Sequence, residues 1–467
     1  MNHPAASSSA TSATSATERP YSPASTEYNT GSHAGRNKED METKTRDFPD
    51  QEKQDHLEHQ DGSADNDAQE SRMNLERIPT YLQPSISVRQ RLQHFTFAWY
   101  TLTMSTGGIA LTLGNTPHRF RGLDVIGLII YFFDIACFAV ISGCLLLRFL
   151  LYKDSFHRTF TRPKEALLVP TLFLSIATLL SNAAKYGSIF LSDKAFSGLA
   201  VFMRITFWMY LAVTFLYSIF QYHILFTVKE TRRLQSSTMT PGWILPIFPV
   251  MLAGTIAAAD STSQSPAQAL AMITAGTAAQ GLGFFFSIFF YAIYMNRLIT
   301  HGLPSHRPAM FIAVGPPSFT CLALIAMASD IPRIFEAQVP VVEGMMNPEL
   351  LGYSVKLGAI YCSLFLWGLS FWFFASGVTS NVLAMVSMIN TPDRKFHLNW
   401  WSFVFPNVGF AISTIRIGKV MGNEGMLWFG TALTIILVIV WLFVLFRCIY
   451  GVMKREIVWP GHDEDSD

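Results

Sequence analysis

Five residues of one apolar stretch have the types and spacing to guide an anion. In Asn399-Trp-Trp-Ser-Phe-Val-Phe405-Pro406-Asn407-Val-Gly409-Phe-Ala-Ile-Ser-Thr-Ile-Arg416-Ile-Gly-Lys419, steps of four, three, four and three residues link Phe405, Gly409, Ile412, Arg416 and Lys419. At 3.6 residues per turn these steps nearly close whole turns, so the five side chains fall on one helical stripe. The stripe carries an aromatic plug, a small residue and two cations along one line, the composition of one wall of an anion pathway. The stretch is long and apolar enough to cross a bilayer, yet Pro406 removes a backbone donor near its middle, so a helix here is expected to bend. The carbonyls freed by a bend need partners that lipid cannot supply, which places the stretch inside a bundle or beside water.

The elements that position this stripe are membrane spans. The 467 residues are 50% hydrophobic and only 14% charged, against about 25% charged in an average soluble domain. Mean hydropathy is +0.29. The formal net charge of +1 says little, because the charges lie in tails and loops. Cys137, Cys144, Cys321, Cys362 and Cys448 all lie in apolar runs without a CxxC pair, which signals neither a disulfide framework nor a metal site.

Residues 1–80 hold Ser/Thr/Ala repeats followed by a charged and polar run, too poor in apolar side chains to offset chain entropy, and are expected to be a disordered cytosolic tail. From Phe95 onward ten apolar runs recur: 95–115, 124–152, 166–190, 197–228, 241–259, 267–296, 309–329, 353–389, 400–422 and 426–450. They define a transmembrane domain over 90–453, followed by a short C-terminal tail, 454–467. Lys and Arg cluster before the first run and after each even-numbered one, Arg394 and Lys395 after the eighth included, whereas the opposite loops are short or acidic, as at Glu343, with Arg119 and Arg121 the exception. By the positive-inside rule those basic loops and both termini face the cytosol, with Trp400, Trp401 and Trp459 at the interface.

Helix breakers inside the runs fall in the odd-numbered ones: Gly107-Gly108, Pro170, Pro246 and Pro249, Gly315-Pro316-Pro317, and Pro406 with Gly409. Broken backbone is tolerated only within protein or against a water-filled cavity, so the odd spans are expected to be inner and the even ones outer. The fold predicted is an all-α membrane protein of ten transmembrane helices, paired as five hairpins around a central pore, with the inner helices kinked at Pro and Gly.

The motifs Arg91-Leu-Gln-His94-Phe-Thr-Phe-Ala-Trp99-Tyr-Thr-Leu-Thr-Met-Ser105-Thr106-Gly107-Gly108, Phe120-Arg121-Gly122, Trp243-Ile-Leu-Pro246-Ile-Phe-Pro249, Gln280-Gly-Leu-Gly283-Phe, Arg307-Pro-Ala-Met-Phe-Ile-Ala-Val-Gly315-Pro-Pro-Ser-Phe319 and Phe405-Pro-Asn-Val-Gly-Phe410 together resemble the tellurite-resistance/dicarboxylate transporter family. Within it they are most similar to the fungal malic acid permeases, and the family also holds slow anion channels and sulfite efflux pumps. The resemblance runs from Arg91 to the Trp459-Pro-Gly tail. It implies five hairpins about a pore, a homotrimer of separate pores in the plasma membrane, a small organic anion such as malate as substrate, and a pore-blocking phenylalanine that matches Phe405. Sulfite or inorganic-anion export is the alternative that the same family allows.

The expected pore-lining set is Ser105, Thr106, Gly107, Gly108, Pro249, Pro316, Ser318, Pro406, Gly409, Arg416 and Lys419, with Phe405 as gate. Each has a plainer reading. Arg416 and Lys419 either draw a dianion to the mouth or snorkel to the interface, Phe405 either constricts or packs, and the hydroxyls either face an anion or bond their own helix. Asp134 and Arg204, roughly 15 Å and 10 Å below the outer ends of even spans, are expected to form a structural ion pair. No HExxH, GxSxG or phosphate-binding glycine-lysine motif is present, so the chain reads as neither an enzyme nor ATP-driven, with no cofactor, metal or nucleic-acid partner expected.

Overall fold

The computed structural model describes residues 87–304, 306–339, 347–387 and 396–458. The expected N-terminal tail, the loop residues Glu343, Arg394 and Lys395, and Trp459 lie outside these residues. The described chain is built from helices that we label α1 (Tyr100–Asn115), α2 (Leu123–Leu151), α3 (Pro170–Phe190), α4 (Asp193–Thr227), α5 (Phe248–Asp260), α6 (Pro266–His301), α7 (Gly315–Gln338), α8 (Pro348–Ser387), α9 (Phe405–Met421) and α10 (Glu424–Met453). Seven of the helical segments are long and apolar enough to cross a membrane, which makes this a multi-pass membrane protein. The regular helices α1, α5 and α9 are shorter, at 16, 13 and 17 residues.

Burial divides the helices into two classes. Of the most apolar window, 67% is buried in the segment containing α3 and 83% in that containing α7, against 17–33% for α2, α4, α6, α8 and α10. Nearly every residue of α1, α5 and α9 is also buried. The even helices turn long rows of Leu, Ile, Phe and Val outward, which lipid can cover at no hydrophobic cost.

The prolines act differently from the expected kinks. Pro170, Pro249, Pro316 and Pro406 each occupy the first or second position of their helix, where a missing N–H costs no intrahelical bond. Most of the inner helices therefore start deep and are entered through a tighter 3-10 segment: Phe97–Trp99 before α1, Pro241–Ile244 before α5, Arg307–Val314 before α7 and Leu398–Phe403 before α9. Among the described residues Pro332 is the one proline beyond the first turn of these helices. Gly107 and Gly108 do not break α1 at all. They allow close packing instead, since a Cβ on Gly107 would lie 2.5 Å from Asp134 Oδ2 and one on Gly108 would lie 2.9 Å from Val408.

Inner helix α1 and its 3-10 lead-in are tied to α3 by side chains of α3 that donate to their carbonyls: Thr171 to Phe97 in the lead-in, and Ser175 to Tyr100, Asn182 to Gly107 and Tyr186 to Ala110 in α1, at 2.6–3.0 Å. Where water is absent, such bonds satisfy hydroxyls and amides that would otherwise be orphaned.

The expected Asp134–Arg204 ion pair is not formed. Helices α2 and α4 both pack on α3. Asp134 turns inward to Gly107 and Thr178, where neither carboxylate oxygen has a hydrogen-bond partner. Arg204 reaches Gln264, 3.5 Å away. A buried ion pair exists elsewhere, between Arg148 at the end of α2 and Glu165, 2.8 Å apart, with Thr159 donating to the same carboxylate oxygen.

Candidate functional site: an aromatic constriction below a cationic vestibule

Three phenylalanines from three inner helices meet. Phe405 and Phe248 open α9 and α5, and Phe319 lies in the first turns of α7. Ring centroids are 5.2 Å apart for Phe319–Phe405, 5.9 Å for Phe248–Phe319 and 6.2 Å for Phe248–Phe405. Phe405 is 1% exposed. Offset and edge contacts at these distances are the favoured aromatic geometries.

Glycines make the contact possible. A Cβ on Gly409 would lie 2.6 Å from Ser318 Oγ and 2.8 Å from Phe319, and one on Gly315 would lie 2.7 Å from Phe248. Helices α5, α7 and α9 all begin at this level, and their first N–H groups are taken up by the 3-10 segments that precede them, as in Phe248 N to Leu245 O, Gly315 N to Ile312 O and Asn407 N to Val404 O.

The hydroxyls of the expected set are committed to carbonyls. Ser105 donates to Trp401 O at 3.3 Å, and Thr106 to Leu102 O at 2.8 Å while accepting from Trp441 Nε1. Ser318 donates to Gly315 O at 3.0 Å and lies 3.5 Å from Pro406 O. Pro249, Pro316 and Pro406 are buried at the helix starts beside the rings.

At the other end of α9, eleven residues or roughly 16 Å of helix above Phe405, the cations gather around the last residues of α1. Arg416 Nη2 donates to Asn115 Oδ1 at 3.2 Å, and Lys419 Nζ donates to Asn115 O at 3.4 Å. Arg119 donates to Gly114 O at 2.9 Å and is also paired with Asp124. The stem of Lys185 lies against Gly114, whose Cβ would be 3.2 Å from Lys185 Cε. Lys185 is within electrostatic reach of Arg119, Arg416 and Lys419. Lys419 is exposed, while Arg416 and Lys185 are half-buried.

Phe248, Phe319 and Lys185 were not singled out by sequence reasoning. The first two were hidden among 38 phenylalanines. Their one signal was position, next to Pro249 and just after Pro316-Pro317. Lys185 lies near the end of the third apolar run outside any motif, and only the packing of α1 between α3 and α9 reveals its neighbours. Among the described residues no group of three or more His, Cys, Asp or Glu is placed to hold a metal ion.

Comparison with known proteins agrees with a membrane path for anions. The chain is 34% identical over 393 residues to the malic acid transport protein of Schizosaccharomyces pombe, an alignment covering 82% of this chain and 84% of that one. A putative malic acid transport protein of the same yeast is also 34% identical, covering 82% and 86%. The sulfite efflux pump SSU1 of Trichophyton rubrum is 24% identical over 373 residues, 78% of this chain and 93% of that one. Residues 94–449, which take in both the three-phenylalanine contact and the cations around Asn115, match the SLAC1 family of voltage-dependent anion channels, and the chain belongs to that family.

Proposed function

We propose that this protein carries small dicarboxylate anions, malate or a close relative, down existing gradients through a path between the inner helices. One observation carries this reading: Phe405, which meets Phe248 and Phe319, lies on the same helix α9 as Arg416 and Lys419, whose surroundings hold more cations than acids. A dianion is concentrated by the vestibule, since several like charges in a partly desolvated cleft raise the local concentration of their counterion. It then meets the rings, which close the path until Phe405 turns aside.

In this reading the ten helices form five hairpins about each pore, three copies of the chain assemble with separate pores in the plasma membrane, and both termini face the cytosol. The similarity to malic acid transport proteins at 34% identity supports a dicarboxylate over sulfite, for which the relative is 24% identical. Uptake of labelled malate and labelled sulfite by purified protein in liposomes tests it. Saturable malate uptake that unlabelled sulfite inhibits weakly is expected. Sulfite flux without malate flux would overturn the substrate assignment.

A further inference from the structure

We propose that Lys185 determines specificity for dianions, acting as a second anchor opposite Arg416 and Lys419 so that the two ends of a dicarboxylate are held at once. This rests on the transport reading given above, and it adds a residue on a different helix, α3, to the cations of α9.

The four cations around the end of α1 are not equivalent. Arg119 is neutralised by Asp124 and also donates to Gly114 O. Arg416 and Lys419 both donate to Asn115. Lys185 Nζ makes no hydrogen bond or ion pair among the described residues, although its stem is pressed against Gly114. Arg416 also keeps a buried Nε–H without an acceptor. After Asp124 is counted against Arg119, three positive charges remain around one helix end, and the partial negative charge of a helix C-terminus, about half a unit, does not balance them. His118 and Glu424 lie on the rim, 3.7 Å from each other.

Like charges held together in a half-buried place repel, and the arrangement is relieved by a bound anion. Lys185 approaches this helix end at Gly114, and Arg416 and Lys419 approach it at Asn115. A four-carbon diacid can place one carboxylate on the open donors of Arg416 and Lys419 and the other on Lys185. An acid with a single carboxylate leaves Lys185 as it is, which is the basis of discrimination. A lysine that merely snorkelled to the interface would place its ammonium in water, whereas Lys185 is half-buried against Gly114, within electrostatic reach of Arg119, Arg416 and Lys419 and of the Asp124 carboxylate.

The test compares labelled malate with labelled lactate in liposomes that contain the full chain. Lys185→Gln is expected to lower the malate-to-lactate ratio of kcat/KM about fivefold, because a lost unit charge weighs twice on a dianion, while Lys185→Arg keeps the ratio near wild type. An unchanged ratio, or an equal fall for both acids, overturns the assignment. Acetylation of lysines in the wild-type protein, read by peptide mass spectrometry, gives a measure free of any folding defect in the variant. Malate should protect Lys185 and lactate at the same concentration should not, and equal acetylation in both would overturn the proposal. Wild-type protein that takes up neither acid refutes the transport reading itself, whereas normal wild-type uptake with an unaltered variant ratio refutes the role of Lys185 alone.

Discussion

Gly409 lies directly against the Phe319 ring, so close that a Cβ would come within 2.8 Å of it. That missing side chain lets α7 and α9 bring Phe319 to 5.2 Å from Phe405 with their planes 27° apart. The aromatic contact therefore depends on a glycine as much as on its rings.

Gly409→Ala should disturb this contact, because the added methyl meets Ser318 Oγ at 2.6 Å and the ring at 2.8 Å. Overpacking of this kind costs about 1–3 kcal/mol. The expected outcome is a lower melting temperature in detergent together with altered flux. Wild-type stability and flux would show that α7 and α9 separate freely.

Asp134→Asn should be tolerated, with a melting temperature at or above that of wild type. Both Asp134 oxygens lack a partner, and a buried charge without a partner is a cost that a neutral isostere removes. Adding Arg204→Gln should change stability additively, within about 0.5 kcal/mol, as for independent sites. A coupling well above that in thermal unfolding of the single and double variants would restore the ion pair.

The fate of that pair shows how far the sequence was legible. Depth along the membrane could be counted for Asp134 and Arg204, but depth says nothing of which helices adjoin. The packing of α2 and α4 on α3 sends the two side chains to different neighbours. The inner and outer classes of helix were legible, since Pro249, Pro316 and Pro406 mark backbone that lipid does not tolerate. What those prolines do was not, because a 3-10 lead-in and a kinked helix have the same apolar composition. Arg416 and Lys419 announced themselves by their stripe, while Lys185 could be recognised only from the cations on other elements that face it.

Lys419→Gln should raise the apparent KM for malate more than for a single-charged acid, since one lost charge acts on two. Lys419 is exposed, so added salt should shrink the difference, with screening over about 8 Å at physiological ionic strength. Uptake curves at two salt concentrations check this. A salt-independent effect would place the lysine away from solvent.

The account turns on Phe405 closing the path, and the most direct measurement is the anion current carried by Phe405→Ala protein in a planar bilayer. Removing the ring from its contacts with Phe248 and Phe319 leaves an opening that water can enter. The account predicts a resting malate current several-fold above wild type from protein that still elutes as a single folded species. A resting current equal to wild type in such protein would contradict it and reduce Phe405 to a packing residue.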